Sequence, residues 1–200
     1  MKLLLKSLAL FVGVAFATPV LAFSYSCADW KDPDLNVDFW KEATRAIIAD
    51  CLQDMGFVMG FSVNDRNDGG ATPLFYAAWL HSNFDVINLL IASGADVNTR
   101  DMWGRTPLHG AAWLNFNPDV MNLLIASGAD VNVRDMADET PLHHAAKGNP
   151  NPDVITALLE AGADGSLKNF QGKTPFDLAN VNEAIKNTEA YWALNDARFK

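Results

Sequence analysis

The sequence predicts an all-α solenoid built from stacked helix–turn–helix units. The main observation is a tetrapeptide that occurs four times, each copy beginning 34 residues after the one before. Glycines keep the same interval, at Gly60, Gly94, Gly128 and Gly162. A repeat of this length with several matching columns is typical of stacked supersecondary units, in which neighbours bury each other's apolar faces. The four copies are Thr72-Pro73-Leu74-Phe75, Thr106-Pro107-Leu108-His109, Thr140-Pro141-Leu142-His143 and Thr174-Pro175-Phe176-Asp177.

Each unit should begin with a helix at its Thr-Pro pair. Proline suits the first helical turn, where its missing N–H costs nothing, and threonine can cap the free amides. In the unit that starts at Thr106, Leu108, Ala111 and Ala112 place apolar and small side chains on one face. Side chains as small as alanine would let the helix of a neighbouring unit approach closely.

A second helix should follow each first helix after a turn. In the same unit the turn lies at Asn115 to Pro118, and we expect Asp119 to cap the second helix. Leu123 and Leu124 belong to an apolar stripe at helical spacing. Gly128 is expected to end this helix in the left-handed conformation that glycine adopts readily.

These residues resemble the ankyrin-repeat family. The Thr-Pro-Leu-His start at Thr106, the Ala-Ala pair, the Leu-Leu pair and the Gly-Ala-Asp-Val-Asn exit from Gly128 are similar to the family's pattern, over about residues 60 to 180. The resemblance implies L-shaped units with projecting β-turn fingers, and a concave face formed by the fingers and the first helices. It also implies that His109 and His143 brace adjacent turns through bonds to the backbone.

The chain departs from the family pattern between the two helices and at both ends. Its period is one residue longer than the family's commonest one, and the extra residue falls at Asn117-Pro118-Asp119 and at the equivalent place in the next unit. Asp138 stands where other units have glycine. Phe75 and Asp177 replace histidine in the first and last copies of the tetrapeptide, as expected of capping units.

Capping segments are predicted on both sides of the repeats. Residues Asp38 to Met55 read as a degenerate half-unit, and Asn182 to Phe199 as a closing helical segment whose apolar residues, including Trp192, cover the last unit. The predicted division is a signal peptide at 1–22, an N-terminal segment and capping half-repeat at 23–71, ankyrin repeats at 72–105, 106–139 and 140–173, and a C-terminal capping repeat at 174–200.

The first residues have the three-part layout of a secretory signal. A basic start at Met1 to Lys6 precedes an apolar run from Leu8 to Ala17, and Val20-Leu21-Ala22 offers a cleavage site. The alternative is a transmembrane anchor, for which the apolar run is short and is broken by Pro19. Ala15-Phe16-Ala17 is a second possible cleavage site. The sequence therefore predicts a bacterial exported protein, periplasmic or secreted, without membrane insertion after cleavage.

Charge excludes one class of partner. The formal net charge is −9, and removal of Lys2 and Lys6 with the signal peptide would leave 13 basic and 24 acidic residues, a net charge of −11. A nucleic-acid binder needs a basic face that displaces counterions. We therefore expect no nucleic acid as a partner.

Two cysteines, Cys27 and Cys51, lie in the predicted mature chain. An oxidising compartment and the absence of a third cysteine favour one disulfide between them. The alternative is that Cys51 is a small buried residue in its helix and Cys27 is a free thiol.

The sequence lacks the usual catalytic and metal-binding patterns. No zinc-ligand spacing, phosphate-binding loop or nucleophile elbow occurs in the sequence. His143 and His144 are adjacent on a helix and so point in different directions, which makes them poor co-ligands. The prediction is that the protein is not an enzyme and uses no cofactor and no metal.

Aromatic and methionine side chains instead mark the predicted binding surface. They fall at the finger tips or on the first helices, and such residues dominate binding hot spots when they are exposed. The alternative for the two first-helix tryptophans is packing between neighbouring first helices. The candidate partner-binding residues are Tyr76, Trp79, Met102, Trp103, Trp113, Met136 and Phe170.

Together these observations predict an exported, non-catalytic module that binds a protein partner through its concave face and finger tips. We expect it to be a monomer. The alternative is a secreted effector that binds a host protein with the same face.

Overall fold

The described part of the chain consists of helices stacked in two layers. The computed structural model describes residues 62–80 and 84–199, and all regular secondary structure within them is helical. The helices are α1 (Pro73–Leu80), α2 (Phe84–Ala92), α3 (Pro107–Leu114), α4 (Pro118–Ala126), α5 (Pro141–Gly148), α6 (Pro152–Glu160), α7 (Pro175–Ala179) and α8 (Glu189–Ala197).

Several predictions fall outside the described residues. They are the signal peptide at 1–22, the disulfide between Cys27 and Cys51, and the helix from Asp38 to Met55. These remain predictions.

Neighbouring units bury each other's helices, as the repeat predicts. In one layer α1 packs on α3, α3 on α5 and α5 on α7, while in the other α2 packs on α4, α4 on α6 and α6 on α8. One leucine of each helix in three consecutive units is almost completely buried between the layers, and no unit could bury these side chains alone. The predicted all-α solenoid of stacked helix–turn–helix units is therefore confirmed. These leucines are Leu74, Leu90, Leu108, Leu124, Leu142 and Leu158.

The start of the second helix differs from the prediction. Asp119 is not the N-cap of α4: the cap is Asn117, whose side-chain Oδ1 accepts the N–H of Asp119 at 3.0 Å. Pro118 occupies the first helical position, so the capping residue must be the one before it. Asn151 caps α6 in the same way.

Left-handed residues stand where the sequence requires them. Gly128, after α4, has a φ of 93°, which confirms that it ends the helix in the left-handed conformation. Asp138 has a φ of 58° at the position where the previous unit has Gly104, with a φ of 77°. Aspartate is one of the few non-glycine residues that tolerate this conformation, so the turn is kept.

Side-chain amides link each unit to the next at two levels. Asn98 donates to the carbonyl of Gly128 at 2.9 Å and accepts the N–H of Asp130 at 3.0 Å. Buried Asn149, in the turn between α5 and α6, donates to the carbonyls of Ala112 and Asn115 at 3.0 and 2.9 Å. The Asn149 bonds satisfy buried backbone carbonyls across the unit boundary, and the Asn98 bonds join the same units at the exposed turns.

The C-terminal cap is only partly as predicted. Ile185, Tyr191 and Leu194 are buried against the last unit, but Trp192 is 53% exposed and Phe199 is 80% exposed, so these two do not cover it. The reason is that α8 begins only at Glu189 and presents one face to α6 and α7, leaving the opposite face in solvent.

Candidate functional site

Four turns project from the helical layers and form a continuous edge. We call them the finger turns, and each is closed by a backbone bond from its first N–H to its last carbonyl, 2.9 to 3.0 Å long. Backbone bonds also join each turn to the next: Met102 N–H donates to Gly69 at 2.8 Å, Met136 N–H to Trp103 at 2.9 Å and Phe170 N–H to Ala137 at 3.1 Å. The finger turns comprise residues 67–71, 101–105, 135–139 and 169–173.

Large apolar side chains stand exposed along this edge. Met102, Met136 and Phe170 occupy the same position in three successive finger turns and are 54%, 67% and 75% exposed. Trp103, at the next position, is 51% exposed. The four side chains therefore form a row whose spacing is fixed by the bonded backbone beneath it.

Trp103 is held in place by a neighbouring charge. The guanidinium of Arg105 lies 4.5 Å from the centre of the Trp103 ring and 5.3 Å from that of Phe75. Asp101 fixes the same guanidinium, with 2.7 Å between its Oδ2 and an Arg105 Nη. The tryptophan is thus exposed but oriented, which reduces the entropy it would lose on binding.

The tryptophan of α3 is half exposed and rests on a glycine. Trp113 is 38% exposed, and a Cβ placed on Gly148 of the next unit would lie 2.9 Å from its indole nitrogen. The Trp113 ring also contacts the His144 ring, with 5.8 Å between ring centres. Glycine at position 148 therefore lets the indole lie across α5.

The aromatic residues of α1 are more enclosed. Tyr76 is half-buried and its hydroxyl accepts a bond from Asn67 Nδ2 at 3.0 Å. Trp79 is half-buried against Gly110, on which a Cβ would lie 3.1 Å from the Trp79 Cβ, and its indole nitrogen is buried. Trp79 therefore packs between the first helices α1 and α3, which is the alternative that the sequence left open. A contact with a partner remains a prediction for both residues.

His109 ties α3 to the third finger turn, and His144 ties α5 to the same turn through Asp135. His109 Nδ1 accepts the Thr106 N–H at 3.1 Å, so its Nε2 carries the proton and donates to the carbonyl of Glu139 at 3.2 Å. The histidine of the next unit, His143, repeats this arrangement with Lys173. The bracing role that the family resemblance implied is thus present in the structure.

Asp135 organises the same finger turn. Its Oδ1 accepts the N–H groups of Ala137 and Glu139 at 2.8 and 2.9 Å, and its Oδ2 lies 2.9 Å from Nε2 of His144. Burial works to raise the pKa of Asp135, but the bond from His144 and the two backbone bonds outweigh it and hold the pKa below its usual value. The carboxylate therefore stays charged and keeps the turn closed.

The three groups come close enough to raise the question of a metal ion. Ligand atoms of His109, Asp135 and His144 lie within 4.8 Å of one another. Both nitrogens of His109 and the near oxygen of Asp135 already take part in the hydrogen bonds given above. A metal ion here would have to displace those bonds, so we assign the cluster a bracing role.

Two protein-family models match this chain. The family model described as "Ankyrin repeats (many copies)" matches residues 60–111 and 124–179, and the model "Ankyrin repeat" matches 103–136. The chain belongs to the ankyrin-repeat family. Ankyrin repeats generally mediate protein–protein interaction, and ankyrin-repeat proteins are typically non-catalytic binding modules. No curated protein matches this chain at a significant level.

The remaining surface of this ankyrin-repeat protein adds residues that sequence reasoning missed. Leu114, the last residue of α3, is 39% exposed, and Phe116, in the turn that follows, is 57% exposed. Two basic residues were also not predicted as part of the surface: Arg105, which lies over the Trp103 ring, and Lys147, which lies on α5. Lys147 could have been found from the repeat, because it follows Trp113 by one repeat length and so occupies the equivalent position in the next unit.

Within the part of the chain that the structure describes, no helix has the length and apolarity needed to cross a membrane.

Proposed function

We propose that this ankyrin-repeat protein binds a protein partner through one continuous surface, made by the finger turns and the adjoining side of α3 and α5. The observation that carries the proposal is the row of four exposed apolar side chains at the finger tips, Met102, Trp103, Met136 and Phe170. Exposed apolar side chains of this size lower solubility unless a partner covers them.

Rigidity supports the same conclusion. The finger turns are bonded to one another through their backbones, and each histidine brace ties a first helix to the finger turn at the end of its own unit. A surface that is already ordered loses little conformational entropy on binding, so its apolar contacts contribute more fully to affinity. Trp113, 38% exposed and in contact with His144, which bonds to the third finger turn, extends this surface onto the first helices.

The proposed surface predicts a specific loss of binding. Replacing Trp103 and Phe170 by alanine should leave the melting temperature nearly unchanged, because both side chains are at least half exposed. Capture of the partner should fall tenfold or more, equivalent to about 1.4 kcal/mol. The measurement is quantitative capture from separate cytoplasmic, envelope and culture-medium fractions with the wild-type and variant proteins as baits.

The chain offers a matched control for this experiment. Trp192 and Phe199 are 53% and 80% exposed but lie in the C-terminal cap, outside the finger turns. Their double alanine variant removes one tryptophan and one phenylalanine of similar exposure and should capture the partner as well as the wild type does. Equal capture by both double variants and the wild type would rule out the finger tips as the binding surface.

We further propose that the protein acts after export, as a periplasmic or secreted monomer. The basic start, the apolar run and the site at Val20-Leu21-Ala22 support this, and they predict a mature protein that begins at Phe23 with a disulfide between Cys27 and Cys51. Delivery to a host cell as an effector is the second candidate, resting on the same signal pattern.

Intact-mass measurement of the protein from its native cell tests export. The expected mass is that of residues 23–200, lowered by the two hydrogens of the oxidised cysteine pair. Full-length protein recovered from the cytoplasm would contradict export. Recovery in the culture medium would favour the effector over the periplasmic protein.

A further inference from the structure

Charge is divided unevenly between the two sides of the solenoid. The second helices and the turns that follow them, residues 84–99, 115–133 and 149–167, contain seven acidic residues and no lysine or arginine. All seven are exposed. They are Asp85, Asp96, Asp119, Asp130, Asp153, Glu160 and Asp164.

The finger side has the opposite character. Residues 66–80, 100–114, 134–148 and 168–173, which hold the four finger turns and the first helices α1, α3 and α5, contain seven basic and five acidic residues. One of the basic residues, Lys147, lies on α5 and its side chain is 56% exposed. The other six are Arg66, Arg100, Arg105, Arg134, Lys168 and Lys173.

Most acids on the finger side are enclosed by their own partners. The side chain of Asp101 is fully buried beside Arg105, and those of Asp135 and Glu139 are 7% and 11% exposed. Among the five acids, only Asp68 and Asp138 remain substantially in contact with solvent. The exposed charge of the finger side is therefore mainly positive, although the whole chain is acidic.

Arginines of one repeat column form a cationic row along the fingers. Arg66 donates to the carbonyl of Arg100, Arg100 to that of Arg134, and Arg134 to that of Lys168 at 3.1 Å. A guanidinium has five N–H donors, so these bonds leave others for an incoming carboxylate. The row follows the same direction as the apolar row at the finger tips, since both repeat once per unit.

We propose that the partner segment docked on this surface is an acidic polypeptide that also carries apolar side chains. The inference rests on the proposed protein-binding function and adds the chemistry of the partner. An acidic segment would be attracted by the finger side and repelled by the rest of the molecule, which favours this one orientation. Nucleic-acid recognition relies on continuous positive charge and aromatic stacking. The finger turns instead carry exposed methionines and two exposed aspartates, Asp68 and Asp138, which suit a polypeptide better.

Selection from a displayed library of random peptides tests the partner chemistry directly. We expect enriched peptides to combine several aspartates or glutamates with aromatic or aliphatic residues. Their affinity should weaken as salt is raised, because the attraction is between exposed charges. A labelled single-stranded oligonucleotide serves as the competing anionic probe and should bind more weakly than the selected peptides.

Charge reversal supplies the matched variants. Lys147→Glu and Lys173→Glu, made singly and together, should weaken binding of the selected peptides, with at least a tenfold loss for the pair. Lys186→Glu makes the same charge change in the C-terminal cap, outside the finger turns and the first helices, and should leave binding unchanged. Melting temperatures of all variants show whether any of them is misfolded, and the single variants remain informative if the pair is.

The possible outcomes separate the two proposals. Acidic, apolar peptides that lose affinity in the Lys147→Glu and Lys173→Glu variants support the inference. Enrichment of neutral or basic peptides that still depend on Trp103 and Phe170 would overturn the inference and leave the proposed binding surface intact. Tighter binding of the oligonucleotide, or a library without enriched peptides, would overturn both.

Discussion

Lowering the pH from about 7 to about 4.5 should reduce the free energy of unfolding by roughly 2 kcal/mol, because His109 must stay neutral in the folded protein. Burial, with a smaller contribution from His144, lowers the pKa of His109 from 6.5 to about 3. Its Nδ1 accepts the Thr106 N–H, which leaves no room for a second proton.

The direction of the effect follows from the sign of this shift. Below pH 6.5 the unfolded chain binds a proton at His109 that the folded protein does not bind until about pH 3. The contribution of neutral His109 is therefore complete above pH 6.5 and is lost progressively as the pH falls toward 3. Burial lowers the pKa of His143 as well, so it acts in the same direction. Asp135, with its lowered pKa, keeps its contribution until the pH falls below the usual aspartate range.

Urea unfolding of the wild type and His109→Phe at several pH values measures this contribution. Phenylalanine is the residue at the same place in the first unit, Phe75, and it cannot titrate. The variant should be less stable at pH 7, because the Glu139 carbonyl loses its donor, but its stability should depend less on pH. Equal pH dependence in both proteins would contradict the prediction. If the variant does not fold, an NMR titration of the wild type still reports whether the His109 ring remains neutral near pH 4.

Gly165→Val should destabilise the C-terminal cap by about 2 to 3 kcal/mol through overpacking. Position 165 belongs to the column that holds Val63, Val97 and Val131 in the other units, so a valine there would match the repeat. The tertiary structure forbids it: a Cβ on Gly165 would lie 2.5 Å from the Cβ of Ala197 and 3.1 Å from that residue's carbonyl atoms. Helix α8 would have to move away from the last unit.

Chemical denaturation and hydrogen exchange together test this prediction. Amides of α8 should lose protection in Gly165→Val before those of α5 and α6 do, because only the cap is displaced. Gly165→Ala should destabilise the cap in the same way. Adding Ala197→Gly to Gly165→Ala should recover part of that loss, because the double variant moves the methyl group from one side of the contact to the other. An unchanged unfolding midpoint, with α8 fully protected, would show that the cap accommodates the side chain.

The repeat interval accounts for how much of the fold was predictable. The Thr-Pro helix starts, the left-handed Gly128 and the stacking of buried leucines all follow from local chemistry that recurs every 34 residues. The prediction for Asp119 was wrong within the same logic, because proline at the first helical position shifts the cap to Asn117. Asp138 in place of glycine was correctly singled out, and its positive φ explains the choice of residue.

The binding surface was only partly predictable. Four apolar residues could be assigned to finger tips by their column alone, and their exposure agrees with that position. The sequence could not separate Trp79 from Trp113, since both occupy the same column. The two tryptophans differ in exposure because different residues of the next unit face them. The Cβ of Trp79 packs against Gly110 and its indole nitrogen is buried, while the indole of Trp113 lies over Gly148 with more than a third of the residue exposed.

The sequence by itself determined the class of architecture and the family, because both depend on local signals that recur at a fixed interval. The uneven distribution of charge between the two helix layers was also present in it. Only the tertiary structure decided which side chains stay exposed, which glycines are required and how His144 meets Asp135. The physical reason is that these properties belong to contacts between units, and such contacts bring together residues that are distant in the chain.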